Sequence, residues 1–115
     1  MSKPEDNLVF LWATESRDVA LTMVFPYALN SKREGWWDEV TLIVWGPSAK
    51  LLARDDELQK RLRKLDREGV NLEACKACAE GYGVADDLEK LGVDVYYIGE
   101  RLTEYMKEGR RILSL

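Results

Sequence analysis

Apolar residues in this chain fall into two rhythms, short unbroken runs and stripes spaced three or four apart, and the two alternate. Asn7 to Ala13 (NLVFLWA) is almost wholly apolar between polar flanks, which suits a strand covered on both faces. Glu39 to Trp45 (EVTLIVW) is rich in β-branched residues and stops at Gly46-Pro47. Val70 to Cys75, Val93 to Ile98 and Arg111 to Leu115 are shorter strand candidates.

The cleanest stripe runs from Asp55 to Glu68, where Leu58, Leu62 and Leu65 line one side of an otherwise charged cylinder. Acidic residues lead it, basic residues follow, and Gly69 stands where such a helix ends. Arg17 to Lys32 predicts a longer, more apolar helix, in which Pro26 predicts a kink or an early break. Ser48 to Arg54 predicts a turn or two of helix with Ser48 as N-cap. Between Ala77 and Leu91, Val84 and Leu88 keep helical spacing, but Gly81 and Gly83 divide the segment into two short helices. Leu102 to Lys107 predicts a last short helix, closed by Gly109.

Strands separated by helices are the pattern of an α/β domain: a parallel sheet of about five strands with helices on both faces and right-handed crossovers. The 115 residues form one expected domain, 1–115, large enough for a core without staples. Hydrophobic content of 46% and mixed charge of 33% describe an ordinary globular chain. A net charge of −4 with scattered basic residues argues against nucleic acid and anionic membranes. No apolar run approaches the roughly 20 residues of a membrane helix. MSKPEDNLVF lacks the charged start and apolar stretch of a signal peptide, so the expected location is cytoplasmic, where thiols stay reduced.

Histidine is absent, which removes the commonest general base and metal ligand. Chemistry then has to rest on carboxylates, lysine, tyrosine or the two cysteines. Both cysteines stand in Glu73 to Gly83 (EACKACAEGYG). In open α/β sheets ligands bind beyond the carboxyl ends of the strands, and among the residues leaving the strands only Cys75 is a strong nucleophile. A following helix N-terminus favours an anion and would lower a thiol pKa there, Lys76 adds positive charge, and Cys78 lies one turn on. The expected arrangement is one thiol open to water at the rim of the sheet.

Four readings of the pair stand open: two small buried residues, a dithiol redox couple, half of a zinc site shared between two chains, or a persulfide carrier. The carrier needs one accessible thiolate and no histidine. No cofactor and no resident metal is expected. Gly81-Tyr82-Gly83 and Gly46-Pro47-Ser48 are too sparse for a phosphate-cradling loop. Asp86-Asp87 reads as the acidic start of a helix, Trp12 and Trp45 as core or pocket wall, and Trp36-Trp37 as packing under a loop or at a subunit contact.

Several stretches, in order, resemble one family along essentially the full chain. They are Trp12-Ala13-Thr14, Leu42 to Leu52 (LIVWGPSAKLL), Val70-x-Leu72-x-x-Cys75-x-x-Cys78 followed by Gly83-Val84, and Gly92-Val93-x-Val95. The family is the DsrE-like group, also known as DsrE/DsrF or YchN-like. Glu73 to Cys78 (E-A-C-x-x-C) and Leu102 to Tyr105 (L-T-E-Y) resemble its small single-domain subgroup. The resemblance implies a three-layer α/β sandwich assembled as a homo-oligomer, a trimer or hexamer. It also implies sulfur relay, in which a cysteine after the third strand holds a persulfide and passes it to a partner. Cys75 matches that cysteine, and Cys78 matches a second one found in part of the family. With Cys75 as the acceptor of the sulfur, Cys78 is expected either to resolve the persulfide or to form a disulfide with it. The leading expectation is therefore a sulfur carrier or sulfurtransferase with donor and acceptor protein partners. The alternatives are a non-enzymatic oligomeric binding module and a dithiol redox protein.

Overall fold

The computed structural model describes residues 3–115. Five strands form one sheet in the order β4-β3-β2-β1-β5, and every pairing is parallel. The strands are β1 (Asn7–Trp12), β2 (Glu39–Val44), β3 (Asn71–Cys75), β4 (Asp94–Tyr96) and β5 (Arg111–Ser114). The helices are α1 (Arg17–Val19), α2 (Phe25–Arg33), α3 (Pro47–Arg54), α4 (Asp56–Arg67), α5 (Lys76–Gly81), α6 (Ala85–Lys90) and α7 (Ile98–Glu108). The expected α/β architecture is the observed one. No described helix is long and apolar enough to cross a membrane.

Strand alternation divides the interior into two unequal layers. Leu8, Phe10 and Trp12 of β1, with Leu42, Val44, Leu72 and Ala74, face a large core that includes Leu52, Leu58, Leu62, Leu65 and Leu88. Val9, Leu11, Ile43 and Cys75 face the other way, toward Ile98, Leu102 and Tyr105 of α7. The topology explains the asymmetry. Steps from β1 through β4 move one way across the sheet, whereas α7 spans the return from edge strand β4 to edge strand β5. Five helices thus supply the large core, and α7 is the main cover of the second face.

Local chemistry explains where the elements depart from the periodicity. The Pro26 break does not occur: a π turn over Ala20–Val24 joins α1 to α2, with the Phe25 amide donating to the Ala20 carbonyl. The wider turn accommodates the proline ring and its missing donor without ending the helix. Ser48 is not an N-cap. Gly46 holds that position at φ +70, Pro47 opens α3, and buried Ser48 donates to the Trp12 carbonyl at 2.6 Å. Asp55 caps α4 by accepting from the Leu58 amide at 3.0 Å and also meets Arg17 at 2.7 Å. The amide first, then Arg17, hold its carboxyl below the usual range. The stretch read as a strand to Ile98 ends at Tyr96 because Ile98 already begins α7.

Ser48 ties the exits of β1 and β2 to α3, so its loss should be felt beyond the hydroxyl itself. Ser48→Ala is expected to lower stability by about 1–3 kcal/mol, measured by urea unfolding. An unchanged midpoint would show that the tie carries no stability.

Candidate functional site

The two cysteines meet where β3 ends. Cys75 is the last residue of β3 and the N-cap of α5, which is only six residues long, and Cys78 is the third residue of that helix. Side chains at an N-cap and three residues on adjoin across the first turn, as in a capping box. Cys78 accordingly lies within side-chain hydrogen-bonding reach of Cys75, and the Gly46 amide approaches its sulfur from the turn after β2. Both cysteines are free thiols.

Access is the reverse of the expectation. Cys75 is only 5% exposed, packed in the face formed by Val9, Leu11, Ile43 and Ile98, and Cys78 is the more open of the two. The side chain of Cys75 points inward because strand alternation places it on the α7 face, and α5 turns the chain away above it. Burial, first of all, and then Cys75 beside it push the Cys78 thiol above its usual range, against the opposing pull of the Gly46 amide. Lys76 is directed to the Tyr97 ring, 5.3 Å from its centre.

A second cluster occupies the same face, two residues upstream. Glu73 is 7% exposed and accepts hydrogen bonds from Tyr96 at 2.5 Å and Tyr105 at 2.9 Å, with Arg101 at 3.1 Å. The Arg101 guanidinium also lies 3.6 Å from the centre of the Tyr96 ring. A buried carboxylate requires donors, and three side chains from β4 and α7 provide them. Burial first, then the hydrogen bond to Glu73, hold both phenols above their ordinary range. The two stretches E-A-C-x-x-C and L-T-E-Y thus meet through Glu73 and Tyr105. Sequence reasoning assigned no role to Tyr96 or Arg101. The available signal was an acidic residue inside the apolar stretch Val70 to Cys75, which demands partners.

The remaining candidates fall into place around these clusters. Glu15, leaving β1, pairs with Lys50 at 3.0 Å and Arg54 at 3.2 Å. Asp86 and Asp87 lie in the first turn of α6. Trp12 is core, whereas Trp45 is exposed. Trp37 donates to the Tyr27 hydroxyl at 3.2 Å, and Trp36, 59% exposed, walls a groove of about 450 Å³ with Met23, Tyr27 and Leu113. No group of three or more acidic or cysteine side chains suited to a metal ion forms among the described residues.

The sequence model of the DsrE/DsrF-like family matches residues 7–115, which takes in both clusters and every strand. The chain belongs to the DsrE/DsrF-like family. This DsrE-like chain is similar to a conserved protein of unknown function from Bacteroides thetaiotaomicron, with 44% identity over 96% of this chain and 95% of that one, and a TM-score of 0.93. A protein of unknown function from Methanobacterium thermoautotrophicum shares the fold at 20% identity, 95% and 98% coverage and a TM-score of 0.79. The ychN protein of E. coli does so at 17% identity, full coverage of both chains and a TM-score of 0.71. No curated protein sequence matches significantly.

The Glu73 cluster generates two expectations. Glu73→Ala, which leaves the half-buried Tyr96 and Tyr105 hydroxyls without their acceptor while Arg101 keeps Asp94, should cost about 1–3 kcal/mol in denaturant unfolding. Raised phenol pKa values mean that the folded state keeps protons the unfolded chain has lost. The stability they contribute is full below about pH 10 and disappears as pH rises through the folded values. Thermal melts between about pH 9 and 11 should therefore fall steeply for the wild type and less steeply for Tyr105→Phe. Parallel curves would remove Tyr105 from the linkage.

Proposed function

We propose that this chain is a sulfur carrier or sulfurtransferase that holds sulfane sulfur as a persulfide on Cys75. The observation that carries the reading is the position of the thiol pair: Cys75 at the carboxyl end of β3, with Cys78 beside it on the first turn of α5. That is the rim at which α/β sheets place their chemistry, and the family to which the chain belongs is associated with sulfur relay. A persulfide forms when a thiolate attacks a sulfane sulfur, so the reaction needs neither histidine nor metal. Cys78 is the outer thiol, and a donor approaches the pair from its side.

The same reading takes the chain as a homo-oligomer, trimer or hexamer, with donor and acceptor proteins as partners. Tyr97 at 64% exposure, Met106 at 59% and the groove beside Trp36 provide apolar surface for such contacts. Light scattering at micromolar concentration is expected to return a multiple of the chain mass, and a purely monomeric mass would remove the assembly from the proposal.

The persulfide is best tested with Cys75 as the sole thiol. Cys78→Ser, incubated without oxygen with inorganic polysulfide, should gain the mass of one sulfur atom in intact-protein mass spectrometry. The double variant Cys75→Ser/Cys78→Ser should gain none. Failure of Cys78→Ser to load, or equal loading of the double variant, would sink the assignment.

A further inference from the structure

We infer that, when no acceptor protein takes the sulfur, Cys78 discharges the persulfide inside the chain, so that the sulfur leaves as hydrosulfide and the cysteine pair is left as a disulfide. This rests on the persulfide reading above and goes beyond it. It names the product and the class of partner that must follow.

The geometry selects which sulfur is attacked. Cys78 stands one helical turn after Cys75, the last residue of β3, and packs against the same apolar cluster as Cys75 Sγ. In Cys75-S-SH that Sγ is the inner sulfur of the persulfide. Attack by Cys78 thiolate on it forms the Sγ–Sγ bond as the bond to the outer sulfur breaks. The outer sulfur departs with the bonding pair as hydrosulfide, and the proton of Cys78 goes to solvent. The two cysteine sulfurs together lose two electrons, and the sulfane sulfur gains two. No outside oxidant enters the step. A dithiol reductant then cleaves the Cys75–Cys78 disulfide by exchange and returns both thiols.

Packing points in the same direction. Cys75 sits among Val9, Leu11, Ile43 and Ile98, so the outer sulfur of its persulfide is crowded by apolar neighbours. The disulfide relieves that crowding, because the extra sulfur is expelled. Cys78 is more open than Cys75, which gives the leaving hydrosulfide and the incoming reductant a side from which to pass. The substrates implied are sulfane-sulfur compounds such as persulfides and polysulfides. The reaction next in sequence is one that consumes hydrosulfide.

The experiment adds one equivalent of inorganic polysulfide, without oxygen, to the reduced wild type and to Cys78→Ser, then traps thiols by alkylation. Hydrosulfide is measured in the filtrate and the protein by intact mass. The wild type is expected to release about one hydrosulfide more than Cys78→Ser per disulfide formed, with both cysteines closed to alkylation and no sulfur retained. Cys78→Ser is expected to keep its sulfur and release only the shortened polysulfide that loading expels. A wild type that retains the sulfur as stably as Cys78→Ser overturns the discharge while leaving the carrier reading intact. If neither protein takes up sulfur, both fail. A disulfide that appears without stoichiometric hydrosulfide is simple oxidation and also overturns the inference.

Discussion

A carboxylate inside a sheet has to be met by donors, and the way Glu73 is met organises the second face of this protein. β3 delivers the acid, β4 delivers Tyr96, and α7 delivers Arg101 and Tyr105. β4 is three residues long and could not hold α7 in place by its ladder alone. The half-exposed Arg101 and the two phenols add directional bonds to buried Glu73 where apolar area is short, and they tie α7 to the sheet. Since α7 covers Cys75, the placement of one carboxylate bears on how closed the nearest thiol is.

The larger layer is held by different means. Leu58, Leu62 and Leu65 of α4 are fully buried against the sheet, together with side chains from the helices around them. Burying a leucine contributes about 1.5–3 kcal/mol, so this layer supplies most of the non-directional stability. It presents the carboxyl ends of β1, β2 and β3 as a rigid rim, with Ser48 binding two of them together. Against this support the turn at Gly46 brings an amide to Cys78, a contact made by residues far apart in the chain.

Much of this architecture was legible in the residues. The five strands and the α4 stripe follow from periodicity, because their side chains pack against uniform surroundings. Pro26 misled because a π turn absorbs a proline that an ideal helix rejects. Ser48 misled because its hydroxyl found a strand carbonyl across space instead of an amide in its own turn. The thiols were located correctly along the chain, but their exposure was not legible. Whether Cys75 points to water or inward depends on which face α7 covers, and that depends on the return path from β4 to β5. The partners of Glu73 lie more than twenty residues away, beyond any local pattern.

The sheet ends on both sides in short strands, three residues in β4 and four in β5, while β1 and β2 between them are six residues each and almost entirely buried. Short borders offer a stray extended segment few backbone groups to zip onto, which guards against edge-to-edge aggregation. The protection is thin on the β5 side, because only four residues stand between solvent and the apolar run LVFLW of β1. Fraying of that last strand would leave most of the globule standing while baring a ready template for cross-β growth.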